Sequence, residues 1–204
     1  VGRFLFASTD QHLLRKCPCP VWLQTRDAGP APRRALAAVD LDLWDAEEPE
    51  TLEDLNLRVV RAARRAVSGP EAEVIVLHVW EAVGEGLVWA FGGAEDPRAA
   101  SDRYVAEVRE ARLQAMNGFI ARLREEDGGA GPRLVPRLSR GAPEVAIERD
   151  ARALRADLVV MGTVARTGLG GIFIGNTAED VINTLDRPVL AVKPAGFASP
   201  LLQG

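Results

Sequence analysis

Residues 157–194 read DLVVMGTVARTGLGGIFIGNTAEDVINTLDRPVLAVKP, and their order decides the fold: strand, glycine-rich loop, helix, strand. Leu158–Met161 is a short apolar run of the kind that forms a strand buried on both faces. Gly162 stands at its carboxyl end, and the loop that follows carries Gly168, Gly170, Gly171 and Gly175. Asn176 opens a helix, with Glu179 three residues on in the spacing of a capping box. Asp186-Arg187-Pro188 stops that helix, and Val189–Val192 forms a second buried strand. Glycines between a strand end and a helix amino terminus permit close backbone approach, and the N–H groups and dipole of that terminus favour an anion. The stretch therefore reads as a phosphate site.

Working outward, six further elements precede it in the same alternation. Arg34–Asp40 (RALAAVD) is a strand, and Thr51 caps a helix whose apolar positions Leu52, Leu55, Val59, Ala63 and Ala66 recur at helical spacing. Val74–Trp80 (VIVLHVW) is the second strand. Residues 81–97 read as a long connection with four glycines together with Trp89 and Phe91, a candidate lid or dimer patch. Ser101 opens the longest helix, to Glu126, with a buried stripe of Tyr104, Val108, Ala111, Ala115, Phe119 and Leu123. Leu134–Leu138 is a third strand in which Pro136 requires a sheet edge. Pro143 starts a helix to Ala156. The pattern is an α/β fold: an open parallel five-stranded sheet, order 3-2-1-4-5 counted along the unit, with helices on both faces, Rossmann-like. In that order the first and fourth strands are neighbours at the switch point, where open α/β sheets bind ligands. Their carboxyl ends are Asp40 and Gly162.

Residues 1–26 do not read as the start of a domain. A short helix capped by Ser8 or Thr9, the Cys17-Pro18-Cys19-Pro20 junction and the strand Val21–Leu23 repeat the helix–Pro–strand ending of Asn176–Val192. We therefore expect residues 1–26 to be the last helix and strand of a first domain. Residues 27–33 are then a linker, 34–195 a complete unit and 196–204 a tail.

The 204 residues are 47% hydrophobic and 26% charged, a globular composition. A net charge of −4 without a basic stripe argues against nucleic acid. No apolar run reaches about 18 residues, so no membrane span is expected. No signal peptide is visible, and two cysteines two positions apart cannot build a disulfide framework, so the expected compartment is the cytoplasm. Cys17 and Cys19 lack further zinc ligands. His78 lies inside an apolar strand, without a nucleophile constellation, as a core or ligand-lining residue.

At several of these segments the chain resembles the universal stress protein family: MGTVARTGLGG (161–171), IGNTAEDVI (174–182), RPVLAVKP (187–194), and strand ends AVD (38–40) and LHV (77–79). DQHLLRKCPCPVW (10–22) is similar to the end of the first domain in tandem members. The resemblance implies a stress-response module of that family's α/β type, binding ATP or another nucleotide, with Mg only where a nucleotide is bound. The implied binding residues are Val39, Asp40, Val79, Met161, Gly162, Thr163, Ala165, Arg166, Gly175, Asn176 and Thr177. No catalytic or metal-binding residue is implied. The resemblance also implies last strands that pair across a dimer axis, as a homodimer or within one chain, bringing Val21 and Leu23 beside Val189 and Val192.

Two positions depart from the ATP-binding pattern. Ala165 stands where that pattern has glycine, adding a methyl where backbone meets phosphate, and Asn176 replaces a small hydroxyl donor. Three functions stay open: a non-enzymatic small-ligand binder, a dimerisation scaffold with a degenerate site holding an apolar ligand, and a weak ATPase or adenylyl-transfer enzyme. The last would need activating groups that this loop, with its one arginine, does not supply.

Overall fold

The computed structural model describes residues 8–25, 29, 31–91, 96–126, 128–163, 175–197 and 199. Its strands are β1 (Val21–Leu23), β2 (Arg34–Val39), β3 (Glu73–Trp80), β4 (Arg133–Arg140), β5 (Leu158–Gly162) and β6 (Val189–Val192). The helices are α1 (Ser8–Lys16), α2 (Pro49–Ala66), α3 (Glu85–Phe91), α4 (Pro97–Glu126), α5 (Pro143–Ala153) and α6 (Asn176–Thr184), with a 3-10 turn at Leu43–Asp45. The sheet order is β1-β6-β5-β2-β3-β4. Five parallel strands take the expected order, and β1 adds a sixth, antiparallel, so the sheet is mixed rather than purely parallel. Val21 pairs with Ala191 and Leu23 with Val189, while Val192 lies beyond β1 and pairs with Gly162. β4, which carries Pro136, is the opposite edge.

Strands inside such a sheet bury both faces, and their residues alternate between two cores. Ala35, Ala37, Val74, Val76, Leu158 and Val160 pack under α2 and the second half of α4. Leu36, Ile75, Leu77, Val159 and Met161 pack under α1, α5 and α6. The small side chains of β2 let α2 seat Leu55, Val59, Val60 and Ala63 close to the sheet.

Helix starts differ from the sequence reading where a proline outcompetes a hydroxyl. α2 begins at Pro49, one turn-half before Thr51, and α4 at Pro97 rather than Ser101. Proline's fixed φ suits the first helical position, and Asp96 caps α4 by accepting the Arg98 and Ala99 N–H groups at 3.0 and 3.1 Å. Ser101 is instead buried inside the helix. The expected stripe of α4 holds only in its second half: Met116, Phe119, Ile120 and Leu123 are buried, whereas Ala111 and Ala115 are exposed. Thirty residues make a helix of about 45 Å, against about 27 Å for an eight-residue strand, so the first half runs past the sheet.

That overhang is where residues 81–91 lie, and they are not a plain loop. α3 packs on α4, the Gly84 N–H donates to the Tyr104 hydroxyl at 3.3 Å, and Glu85 pairs with Arg140. Gly84 is glycine because a Cβ there would stand 2.8 Å from the Tyr104 hydroxyl oxygen. Val83, Leu87 and Trp89 remain exposed.

α1 and β1 are docked by Leu14, Val21 and Leu23 and by a buried ammonium. Lys193 Nζ donates to the Leu14 carbonyl, near the end of α1, and stands 4.5 Å from the Phe197 ring centroid. Burial pushes the Lys193 pKa down to about 8, against a smaller upward pull from Cys17. Between pH 8 and 10.5 the unfolded chain binds this proton and the folded chain does not, so stability climbs with pH and is lost as pH falls through 8. Denaturant titrations across that window should show an upward slope of up to about 1.4 kcal/mol per pH unit, missing in Lys193→Met. Equal slopes in the two proteins would refute the assignment.

Candidate functional site

β2 and β5 lie side by side, Ala38 opposite Met161, and both end at the same rim. Asp40 follows β2 there, half-exposed, and the amino terminus of α6 follows the loop after β5. This is the switch point expected from the strand order.

The turn after β2 is bracketed by polar groups. Asn56 on α2 clamps Asp40 with both ends of its amide: it accepts the Asp40 N–H at 2.9 Å and donates to the Asp40 carbonyl at 2.6 Å. Asp40 Oδ1 accepts the Asp42 N–H at 3.2 Å. The Leu41 N–H donates to His78 Nδ1 at 3.3 Å. Arg112 reaches from the middle of α4 to pair with Asp42 at 2.9 Å, and its guanidinium lies 5.9 Å from the centroid of the Trp44 ring. Trp44 itself is 73% exposed at the rim.

His78 lies beneath this turn with no exposed surface. Its Nδ1 lies 3.3 Å from both the Leu41 nitrogen and the Val39 carbonyl oxygen, so it accepts from Leu41 in the tautomer that carries the proton on Nε2, 3.8 Å from Asp42 Oδ1. Burial holds its pKa below the usual histidine value; Asp42, Asp40 and the Val39 carbonyl oppose that, and Arg112 adds to it. The ring is therefore neutral at neutral pH.

On the β5 side the glycine and the threonine serve packing. A Cβ on Gly162 would meet Leu55 Cδ2 at 2.6 Å, and Gly162 is not among the glycines with left-handed φ. Gly162 is thus small because α2 rests on it, a packing reason for glycine that stands beside the reading of close ligand approach. Thr163 is fully buried instead of lining the mouth, and its hydroxyl donates to the Val192 carbonyl at 3.3 Å. The Gly175 N–H donates to the Thr163 carbonyl at 2.9 Å, tying the start of α6 to the end of β5.

Gly175 is the N-cap of α6, so Asn176 occupies the first helical position and the expected Asn176–Glu179 box does not form in that register. Thr177 is exposed in the first turn. Val39 faces the α2–α4 core, while Met161 and half-buried Val79 face the α5–α6 core. The fold thus brings Asp40, Gly162, Gly175 and Thr177 to the rim and leaves the three apolar residues mainly as core. Ala165, Arg166 and the side chain of Asn176 lie outside the described residues.

Sequence reasoning missed Asn56, Asp42, Trp44 and Arg112. Asn56 carried a signal, being a polar residue on the buried stripe of α2 between Leu55 and Val59. Arg112 carried none, since its role depends on how far α4 overhangs the sheet. No cluster of His, Cys, Asp and Glu suited to a metal occurs among the described residues.

Five parallel strands with helices on both faces and a switch point between β2 and β5 define an open α/β module. Residues 50–193 match the family model described as universal stress protein family, and the chain belongs to that family. Universal stress protein E of Salmonella typhi is 31% identical over 199 residues, 97% of this chain and 58% of that protein. The chain thus spans a little over half the length of this relative. A functionally unknown protein from Pseudomonas aeruginosa PAO1 is similar in structure with a TM-score of 0.63 and 30% identity, covering 93% of this chain and 57% of that one. A universal stress protein solved in complex with cAMP shares the fold, with a TM-score of 0.50 and 18% identity over 80% of this chain and 98% of that one. No helix among the described residues is long and apolar enough to cross a membrane.

The packing account of Gly162 makes a quantitative demand. Gly162→Ala should cost about 1–3 kcal/mol in urea denaturation, the usual penalty for overpacking. In a Leu55→Ala background, where the clashing methyl is gone, the same change should cost nearly nothing. An equal cost in both backgrounds would refute the packing account.

Proposed function

We propose that this chain is a stress-response module without chemistry of its own, whose switch-point crevice binds a small ligand of nucleotide type. The observation that carries the reading is the convergence of Asp40 and the first turn of α6 at one rim, in a chain of the universal stress protein family. The Asp40 carboxylate suits ligand hydroxyls or an amino group. The N–H groups at the start of α6 suit a phosphate, with Thr177 beside them. The Gly175 N–H is engaged by Thr163 and does not contribute. ATP, with Mg accompanying its phosphates, is the ligand the family resemblance suggests. The cAMP complex of a fold neighbour is in keeping with a ligand of nucleotide type.

The non-enzymatic reading rests on what surrounds the crevice. Among the described residues, Arg112 reaches this rim and is already paired with Asp42, and His78 is buried and faces no nucleophile. Phosphoryl transfer needs positioned charge and an activated attacking group. A second reading, a scaffold whose pocket holds an apolar molecule, draws on the exposed Trp44, Val83, Leu87 and Trp89 at the same end of the sheet. In either case the last-strand contact is made within the chain, so the β6 edge is not open to a second copy.

ATP–Mg²⁺ at one hundred times its Kd should raise Tm by about 5–10 °C, and Asp40→Ala should abolish most of that shift. Phosphate release should not exceed that of Asp40→Ala. Native mass spectrometry showing a co-purified apolar molecule, with no thermal response to nucleotides, would favour the scaffold.

A further inference from the structure

The turn over residues 40–45 is one wall of the crevice, and its central N–H is held by an imidazole. His78 Nδ1 lies 3.3 Å from two backbone groups of opposite kind, the Leu41 N–H and the Val39 carbonyl. A neutral ring serves the first, as acceptor. That neutral ring carries its proton on Nε2; a ring with a proton on Nδ1, as the charged ring always has, serves the second as donor and then presents N–H to N–H at Leu41. At the other end of the ring, Nε2 has no hydrogen-bond partner among the described residues and stands 3.8 Å from Asp42 Oδ1, the atom that Arg112 holds at 2.9 Å. A charge on the ring draws Asp42 inward, against Arg112. Both effects act on one six-residue segment, and both pull it out of its present arrangement.

We propose that His78 is a proton-operated latch: uptake of a proton at Nδ1 releases the turn over residues 40–45 and lowers ligand occupancy of the crevice. The inference rests on the crevice being a ligand site. The charged groups facing the ring are Asp40 and Asp42 from the turn and Arg112 from α4. The buried stripe of α2 offers Leu52, Leu55, Asn56 and Val59, none of them titratable, and the strand neighbours are Val39 and Leu138. Burial outweighs the two carboxylates and holds the ring neutral, so the proton arrives as pH falls below the ordinary histidine range. The ligand-competent turn requires the neutral ring, so a bound ligand in turn opposes protonation.

His12 and His78 are the two histidines of the chain, and His12 is exposed on α1, far from the turn in the fold. A His12→Gln protein therefore reports His78 alone. Its Leu41 and Asp42 amides, corrected for intrinsic exchange, should lose about tenfold or more in protection between pH 7.5 and 5.0, with the midpoint at which the imidazole resonances titrate. The ATP–Mg²⁺ affinity of the same protein should fall about fivefold or more beyond the change seen in His78→Asn, whose amide oxygen accepts from Leu41 at every pH. The titration of ATP itself is common to both proteins. Unchanged protection in residues 40–45, or a midpoint different from that of the imidazole, overturns the latch even if His78→Asn does not fold. A latch that operates with no extra loss of affinity overturns its control of the crevice. Absence of ATP binding at pH 7.5 overturns the nucleotide reading and the gating with it, while the ligand-free exchange still decides the latch.

Discussion

The parallel pairing of β2 with β5 is the contact on which the rest of this structure depends. It joins residues 35–38 to residues 158–161 across most of the unit, and it creates the point where the sheet reverses direction of growth. Both ends of the pairing are secured. At the start, the Asp157 carboxylate accepts the Arg33 and Arg34 N–H groups, each at 2.9 Å, and the Asp157 N–H donates to the Arg34 carbonyl at 2.8 Å. At the finish, Leu55 of α2 sits on the bare backbone of Gly162. A slip of one residue would move Gly162 off Leu55 and turn the apolar side chains of β5 to the wrong cores. The register that builds the core is therefore the same one that aligns the two strand ends forming the crevice.

The crevice wall inherits a cost from this arrangement. The turn after β2 leaves the sheet over a buried face, so its N–H and carbonyl groups must find partners inside the protein. Asn56 satisfies both groups of Asp40, His78 takes the N–H of Leu41, and Asp40 takes that of Asp42. An aliphatic residue at 56 or 78 would pack in either place but would orphan those groups. Arg112 completes the set from a helix that reaches the turn because it overhangs the sheet. Polar side chains on apolar stripes here support the backbone of a site without themselves being the ligand groups.

This explains how much was legible in the sequence. The pairing of β1 with β6 is what the family resemblance implies, whereas strand order and the switch point follow from the alternation of elements and Pro136 at an edge. Those are pattern-level properties, and local chemistry specifies them. The exact helix starts did not follow, because Thr51 and Ser101 compete with Pro49 and Pro97 and only tertiary placement decides between them. α3 was hidden by Gly84 and Gly86, since a helix that exists by packing on Tyr104 has little intrinsic propensity to announce it. For Gly162 and Thr163, glycine and hydroxyl at a strand end fit ligand approach and packing equally well in the sequence. Only the position of Leu55 and the Val192 carbonyl distinguishes packing from binding.

The two sheet edges show different solutions to one problem. β4 ends the sheet with Pro136 and with arginines at 133, 137 and 140, charged and poorly able to pair with another strand. β6 cannot be treated that way, because all four of its residues are buried and apolar, and an open edge there would template aggregation. β1 closes it, with Val21 and Leu23 turned to the core and Trp22 turned outward. Three residues of strand are little by themselves, so the closure relies on α1, whose Leu14 enters the same core and whose carbonyl Lys193 holds. Placing an ammonium in that buried position is unfavourable for the lysine, as its lowered pKa shows. The position is retained because the alternative is a helix end with an unpaired carbonyl over a strand that would lose its cover.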